Sequence, residues 1–264
     1  MGDPALFQRV CDARAAYNEL GNEVLEEQRA RFVRNPATPL VHDANLTSWV
    51  RAETDDDIDA VLARADELYA GLAHRKVMLD PGTPAAFEAR LVLDGYEPNP
   101  HVELVLEGDL LGTPPPVDLR PVEAEGDWRS LAALWRLDHD EEAAKGHHDR
   151  WPPEVTEQMV VGKRLKAPGL RFWLARVDGS DAAFFSSWPG HDGLGLVEDL
   201  FTRPELRRRG IATALIAHAV GDARERGAGP VAISARAWDT PKHMYAALGF
   251  RPSGISRNYL RTIE

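Results

Sequence analysis

The segment Leu200-Phe201-Thr202-Arg203-Pro204-Glu205-Leu206-Arg207-Arg208-Arg209-Gly210-Ile211-Ala212-Thr213 has the residue types needed to hold a phosphorylated ligand. It reads as a strand, an arginine-rich turn and a helix start. At a helix N-terminus the first amide hydrogens lack intrahelical acceptors and the dipole end is positive, so a diphosphate can sit there. Gly210 has no Cβ, which lets a phosphate approach the main chain, and small Ala212 lets the first helical turn approach the sheet or the ligand. The arginines add charge without supplying the cradle. The helix that follows keeps Ile211, Leu215, Ala219 and Val220 on a buried side and stops at Gly227, after Arg224 and Arg226.

Around this turn the chain must supply a scaffold. From residue 118 onward the hydrophobic patterning predicts a strand over Val117 to Pro121, helices over Trp128 to Leu137 and Glu154 to Leu165, and strands over Leu170 to Val177, Ala182 to Trp188 and Leu194 to Thr202. A long helix begins near Arg209, and a strand, a helix and a strand close the chain. Alternation along the strand before the turn puts Glu198, Leu200 and Thr202 on one face and Val197, Asp199 and Phe201 on the other. Trp151, Phe172, Trp173, Phe184, Phe185 and Trp188 read mostly as core, with one or two available to line an acceptor pocket.

Two spaced motifs carry a family resemblance. Arg207-x-x-Gly210-x-Ala212, preceded by Leu-Phe-Thr and a Pro-Glu turn, resembles the acetyl-CoA signature of the GCN5-related N-acetyltransferases (GNAT), Gln/Arg-x-x-Gly-x-Gly/Ala. Tyr245-Ala246-Ala247-Leu248-Gly249-Phe250 resembles the family's second signature, at the expected distance and after the expected strand, Val231 to Ala235. The resemblance covers roughly residues 118 to 264. It implies a GNAT fold: an α/β (α+β) domain with a mixed central sheet, flanking helices and acetyl-CoA as donor substrate.

Position by position, the resemblance implies that the main chain of Leu200, Phe201 and Thr202 holds the acetyl and pantetheine portion. The turn of Arg207, Arg208, Arg209, Gly210, Ile211, Ala212 and Thr213 then holds the diphosphate. The implied reaction is attack of a neutral amine on the thioester carbonyl, which needs an acceptor for the amine's proton and a donor for the departing thiolate. Tyr245 matches the family's acid, with a phenol that keeps its proton at neutral pH. Glu198 is the candidate base, and amide hydrogens near Phe201 and Thr202 could polarise the carbonyl. The family's asparagine seven residues before the tyrosine is replaced by Trp238, so that contact does not carry over.

Asp138-His139-Asp140-Glu141-Glu142 falls between the first two helices of this half, where the family commonly builds the acceptor site. The cluster reads either as an acidic lip favouring a cationic amine or as solvated surface. His147-His148-Asp149 reads as a polar loop, because no further ligands stand at metal-site spacing, and no metal is expected.

With 264 residues the chain has room for two modest domains. Gly112-Thr113-Pro114-Pro115-Pro116 is the best boundary, since consecutive prolines exclude helix and stiffen the chain. The expected organisation is a smaller N-terminal α/β domain over 1–112, a linker over 113–117 and the catalytic domain over 118–264. In the first part the pattern predicts helices from Pro4 to Leu20, from Thr54 as cap, and from Thr83-Pro84 to Leu93. Strands are expected near Leu40 to His42 and Leu46 to Arg51, and over Lys76 to Leu79 and Val102 to Leu106. Residues 75 to 106 repeat the end of the chain in outline. Gly95-Tyr96-Glu97-Pro98 answers Gly249-Phe250-Arg251-Pro252, and Leu91 stands in the place of Tyr245. This suggests a degenerate GNAT-like part with no donor site, against the plainer alternative that many α/β units carry a glycine after a helix.

The formal charge of -11 argues against nucleic acid or an anionic membrane as main partner. A single cysteine, Cys11, excludes an intrachain disulfide and suits a reducing compartment. No run approaches the length of a membrane span, and a cytoplasmic location is expected. The acceptor implied is a small-molecule or peptide amine, and a homodimer is compatible with this reading. The alternatives are an acyl-CoA-binding module without chemistry and a transferase for a longer acyl group.

Overall fold

The structure is a computed structural model that describes residues 3–263. In chain order it contains α1 (Pro4–Glu19), β1 (Glu23–Glu26), β2 (Arg31–Arg34), β3 (Leu46–Ser48), α2 (Asp55–Leu68), β4 (His74–Leu79), α3 (Ala85–Leu93) and β5 (Glu97–Leu106). There follow β6 (Asp118–Pro121), α4 (Glu125–Ala144), α5 (Pro153–Lys166), β7 (Arg171–Val177), β8 (Ser180–His191), β9 (Leu194–Thr202), α6 (Ile211–Glu225), β10 (Val231–Arg236), α7 (Pro241–Ala247) and β11 (Arg251–Thr262). From β6 onward the order of elements is the one the sequence predicts.

The chain divides into two compact units that do not follow chain order. The first holds residues up to Glu103 together with Ala235–Thr240 and the stretch from Ser253 onward; the second holds Leu104–Ser234 and Pro241–Pro252. Most of the last strand therefore belongs to the first unit, where Arg257 to Thr262 pair antiparallel with Leu79 to His74.

In the first unit β1, β2 and β3 form an antiparallel meander, and β3 runs parallel to β4 with Thr47 opposite Val77. The sequence pattern leaves β1 and β2 out because both are four residues long and begin and end on charged residues, Glu23, Glu26, Arg31 and Arg34. In that hairpin only Phe32 and Val33 are buried, and as neighbours they point to opposite faces. The expected strand at Leu40 to His42 is instead a turn leading into a short 3-10 segment, His42–Ala44. Helix α2 is capped as anticipated, with Asp57 N–H donating to Thr54 Oγ1 at 3.2 Å. Helix α3 starts one residue later than the pattern indicates, because Thr83 receives the Asp80 amide in the preceding turn. Cys11 is buried, and burial pushes its thiol up to about 12.

In the second unit the strand order is β10-β9-β8-β7-β6, with β10 parallel to β9 and the others antiparallel. Alternation gives this sheet two faces. Phe172 and Phe184 face α4, where Trp135 meets Phe184 at 5.0 Å and Trp128 meets Phe172 at 5.4 Å between ring centroids. Trp173, Phe185 and Ser187 face α6, where His218 lies 4.3 Å from Trp173 and Asp222 accepts from Ser187. Phe172, Phe184, Phe185 and Trp188 are buried as expected, whereas Trp151 and Trp173 are half-buried. No helix among the described residues is long and apolar enough to cross a membrane.

Candidate active site

Strand β9 is paired on both edges only near its start. Val231 pairs with Gly195 and Ala232 with Leu196, and among the described residues the β9–β10 ladder ends there, although β9 continues to Thr202. Beyond Leu196 one edge of β9 is thus released from the sheet. On its other edge Ser186 lies opposite Glu198 but Phe184 lies opposite Phe201, so β9 carries one residue more than β8 across this interval. The extra residue is a β-bulge, and Asp199 takes a left-handed conformation there, with φ 58°.

The bulge corrects the alternation expected from sequence. Residues opposite one another in an antiparallel pair share a face, so Glu198 shares its face with Phe201, and Thr202 shares its face with Val197. One inserted residue reverses every assignment after it. Phe201 packs toward the α4 side, 5.7 Å from Phe184. Glu198 and Leu200 are half-buried, and Phe201 and Thr202 are buried. Thr202 Oγ1 is buried and makes no hydrogen bond among the described residues.

The arginine-rich turn begins as a 3-10 segment, Pro204–Leu206, and passes through two left-handed residues, Arg208 at φ 60° and Gly210 at φ 79°, before α6 starts at Ile211. Gly210 is the N-cap, and no side chain caps the helix. The amide hydrogens of Ile211, Ala212 and Thr213 therefore meet no capping group at the positive end of a 15-residue helix. The glycine serves a second need as well: a Cβ on Gly210 would come within 2.7 Å of Pro115 Cγ, so the proline-rich segment packs directly on the turn. Arg207 braces it from behind. Its Nε donates to the Thr202 carbonyl at 2.9 Å, and its two terminal nitrogens reach Glu141 at 2.6 and 2.5 Å. Arg208 and Arg209 are exposed, the latter 3.8 Å from Asp178.

Tyr245 lies in α7 and is buried, 6.4 Å from Phe250 between ring centroids. Leu248 and Phe250 both donate their amide hydrogens to the Tyr245 carbonyl, at 3.1 Å, as the chain turns through Gly249 at φ 103°. Glu198, Tyr245 and the whole arginine-rich turn thus belong to the second unit.

The acidic cluster is placed differently from expectation. Helix α4 runs on to Ala144, so Asp138 to Glu142 are its last turns rather than a loop. Glu141 and Glu142 both receive Lys145, and Glu142 also receives His147 Nδ1 at 2.8 Å. Burial opposes ionisation of Glu141, but hydrogen bonds from Arg207 and Lys145 outweigh it and hold the pKa below its ordinary value. Burial, reinforced by Glu142 and Glu141, pushes the Asp138 carboxyl up to about 7. His139 is buried against Thr156 and Trp151, and burial lowers it to about 4. His148 stacks on Trp151 at 3.8 Å. Among the described residues no three His, Cys, Asp or Glu side chains gather as a metal site.

Sequence reading missed the group that surrounds the bulge. Asp199 accepts from Lys163 Nζ at 2.6 and 2.8 Å and from Ser186 Oγ at 3.0 Å. No local signal marks this trio, because its members lie on α5, β8 and β9.

The family model "Acetyltransferase (GNAT) family" matches residues 128–250, the stretch from α4 through the turn after α7. Over these residues the chain is similar to the GNAT family. Solved structures agree at the level of fold. A GCN5-related N-acetyltransferase from Kribbella flavida superposes with a TM-score of 0.69 at 16% identity, covering 96% of this chain and 95% of its own. A functionally unknown conserved protein from Staphylococcus epidermidis gives 0.69 at 13%, covering 93% and 96%. A tandem GNAT protein from the clavulanic acid biosynthesis pathway gives 0.60 at 15%, covering 98% and 93%. These likenesses span both units, so the GNAT resemblance of the fold extends beyond the matched stretch. No curated protein matches the sequence.

Proposed function

We propose that the second unit is an acetyl-CoA-dependent N-acetyltransferase whose acceptor is a primary amine of a small molecule or peptide. The observation that carries this reading is the release of β9 from β10 after Leu196, on the strand that feeds the uncapped N-terminus of α6. A thioester with an amide-bearing pantetheine arm can add to the free edge as a further strand, and its diphosphate can meet the amides from Ile211 to Thr213. The orphan Thr202 Oγ1 offers one more polar contact along that path. In this assignment the main chain of Leu200, Phe201 and Thr202 holds the acyl arm, and Arg207 to Thr213 hold the diphosphate. Arg207 contributes through its main chain, since its guanidinium is committed to Glu141 and Thr202.

Tyr245 is assigned as the acid that protonates the departing thiolate. Glu198 is assigned as the base that takes the amine's proton, directly or through water. The carboxylates at the end of α4 favour a cationic acceptor, although Lys145 and Arg207 already neutralise part of their charge. The proposed catalytic domain is residues 118–264, with 1–112 non-catalytic and 113–117 joining them; within it Ala235–Thr240 and the stretch from Ser253 onward lie in the first compact unit.

The test is release of free thiol from acetyl-CoA across a panel of amines. Turnover with a primary amine, above the rate without one, is expected. Binding of acetyl-CoA with no thiol release on any amine favours a non-catalytic acyl-CoA-binding module, and faster release from a longer acyl-CoA overturns acetyl as the donor group.

A further inference from the structure

The bulge in β9 is held from outside the strand. A left-handed conformation is uphill for a residue with a Cβ, and aspartate tolerates it better than most. Here the Asp199 carboxylate is fixed by partners from two other elements. Lys163 of α5 reaches both oxygens, at 2.6 and 2.8 Å, and Ser186 of β8 donates to Oδ2 at 3.0 Å. The ion pair is largely removed from water, with side-chain exposures of 14% for Lys163 and 12% for Asp199, and Ser186 is fully buried. Lys163 also lies over the Trp135 ring, its Nζ 5.6 Å from the centroid, so the ammonium is held by α4 as well. A buried carboxylate that loses its cation keeps the desolvation cost without the attraction.

This arrangement has a consequence for the reaction. Ser186 lies opposite Glu198, the last matched pair before the extra residue, and the matched pairing resumes at Phe201. The interval so fixed is Asp199 and Leu200, whose main chain the bulge takes out of register with β8. We propose that Lys163 and Ser186 are positioning residues: by clamping the Asp199 carboxylate they lock the bulge, and the bulge aims a β9 amide hydrogen at the donor's thioester carbonyl. The inference rests on the acetyltransferase reading. A donor held in place by the rest of the fold stabilises developing charge at no reorganisation cost, and a loosened one loses much of that benefit.

The experiment compares the wild-type chain with Lys163→Met and with the double variant Lys163→Met/Asp199→Asn, using acetyl-CoA labelled with 13C at the carbonyl carbon. Methionine keeps the length of the side chain over Trp135, and asparagine keeps a left-handed preference while removing the unpaired charge. In the wild type the carbonyl resonance moves downfield on binding. In both variants that shift is expected to shrink, kcat to fall roughly 10-fold, and affinity for CoA without its acetyl group to stay within about 2-fold, since one full oxyanion donor is worth ~10²-fold or more. The double variant is expected to regain thermal stability without regaining the shift or kcat, which a merely structural ion pair would not do. Should Lys163→Met fail to fold, the double variant alone decides. If wild type and double variant show the same downfield shift, the inference is overturned while the acetyltransferase reading stands. If the wild type does not bind acetyl-CoA, the reading fails and the inference falls with it.

Discussion

Two helices, one in each unit, occupy the same place in the same motif and present opposite charge. In the first unit β3 leads through α2 to the parallel strand β4; in the second β9 leads through α6 to the parallel strand β10. Helix α2 begins with its own cap, Thr54, and with Asp55, Asp56 and Asp57 in its first turn. Helix α6 begins with Gly210, no capping side chain and no acid in its first turn, after three consecutive arginines. The positive end of α2 is thus satisfied internally, whereas that of α6 is left for an external anion. The next elements repeat too. Tyr96 donates its amide hydrogen to the Leu91 carbonyl at 2.9 Å after α3, just as Phe250 donates to the Tyr245 carbonyl after α7. The scaffold is shared, and in the proposed assignment the chemistry-bearing side chains stand in the second unit.

The strongest way to break that contrast is to make α6 resemble α2. Gly210→Asp puts a carboxylate at the helix start, in a left-handed conformation and against Pro115. Backbone strain of ~1–3 kcal/mol should lower fold stability, and charge repulsion should weaken CoA binding by about 10²-fold or more in calorimetry. Wild-type affinity in this variant would mean that the donor binds elsewhere. Tyr245→Phe removes only the hydroxyl, a group that Leu91 in the first unit also lacks, and should lower kcat by ~10²-fold with donor affinity retained. Unchanged turnover would remove Tyr245 from the acid role.

These two positions are also where sequence was most informative. Gly210 and Tyr245 sit in short signatures whose chemistry is local, and so did the Thr54 cap. The bulge is different in kind. Whether a strand carries an extra residue depends on the register of its partner, and nothing near Asp199 announces that Phe184 pairs with Phe201. Lys163 is remote in sequence from the carboxylate it holds, so the pair exists only once α5 is packed. The end of α4 was misread because Asp140, Glu141 and Glu142 are polar and look like loop. Their helix is sustained by the buried side of the same turns, His139 included. The placement of most of β11 in the first unit likewise comes from pairing with β4, which no local pattern encodes.

Smaller effects sharpen the comparison. Asp138 has a carboxyl raised from 3.8 to about 7, so the stability it allows at low pH is lost as pH rises from its unfolded value through the folded one. Asp138→Asn cannot ionise and should melt a few degrees higher than wild type at pH 8, with the difference vanishing near pH 4, in thermal scans at matched ionic strength. A constant difference across pH would show that Asp138 ionises normally. In the first unit Thr54→Ala should cost ~1 kcal/mol of stability by denaturant titration. It should leave donor affinity unchanged, and a loss of CoA binding there would place donor chemistry in the wrong unit.

The most direct test of the account is a calorimetric titration of the whole chain with acetyl-CoA, run on wild type, Gly210→Asp and Thr54→Ala. The account predicts one site per chain, lost on changing Gly210 and kept on changing Thr54. Two equivalent sites, or one site that survives Gly210→Asp, would contradict it.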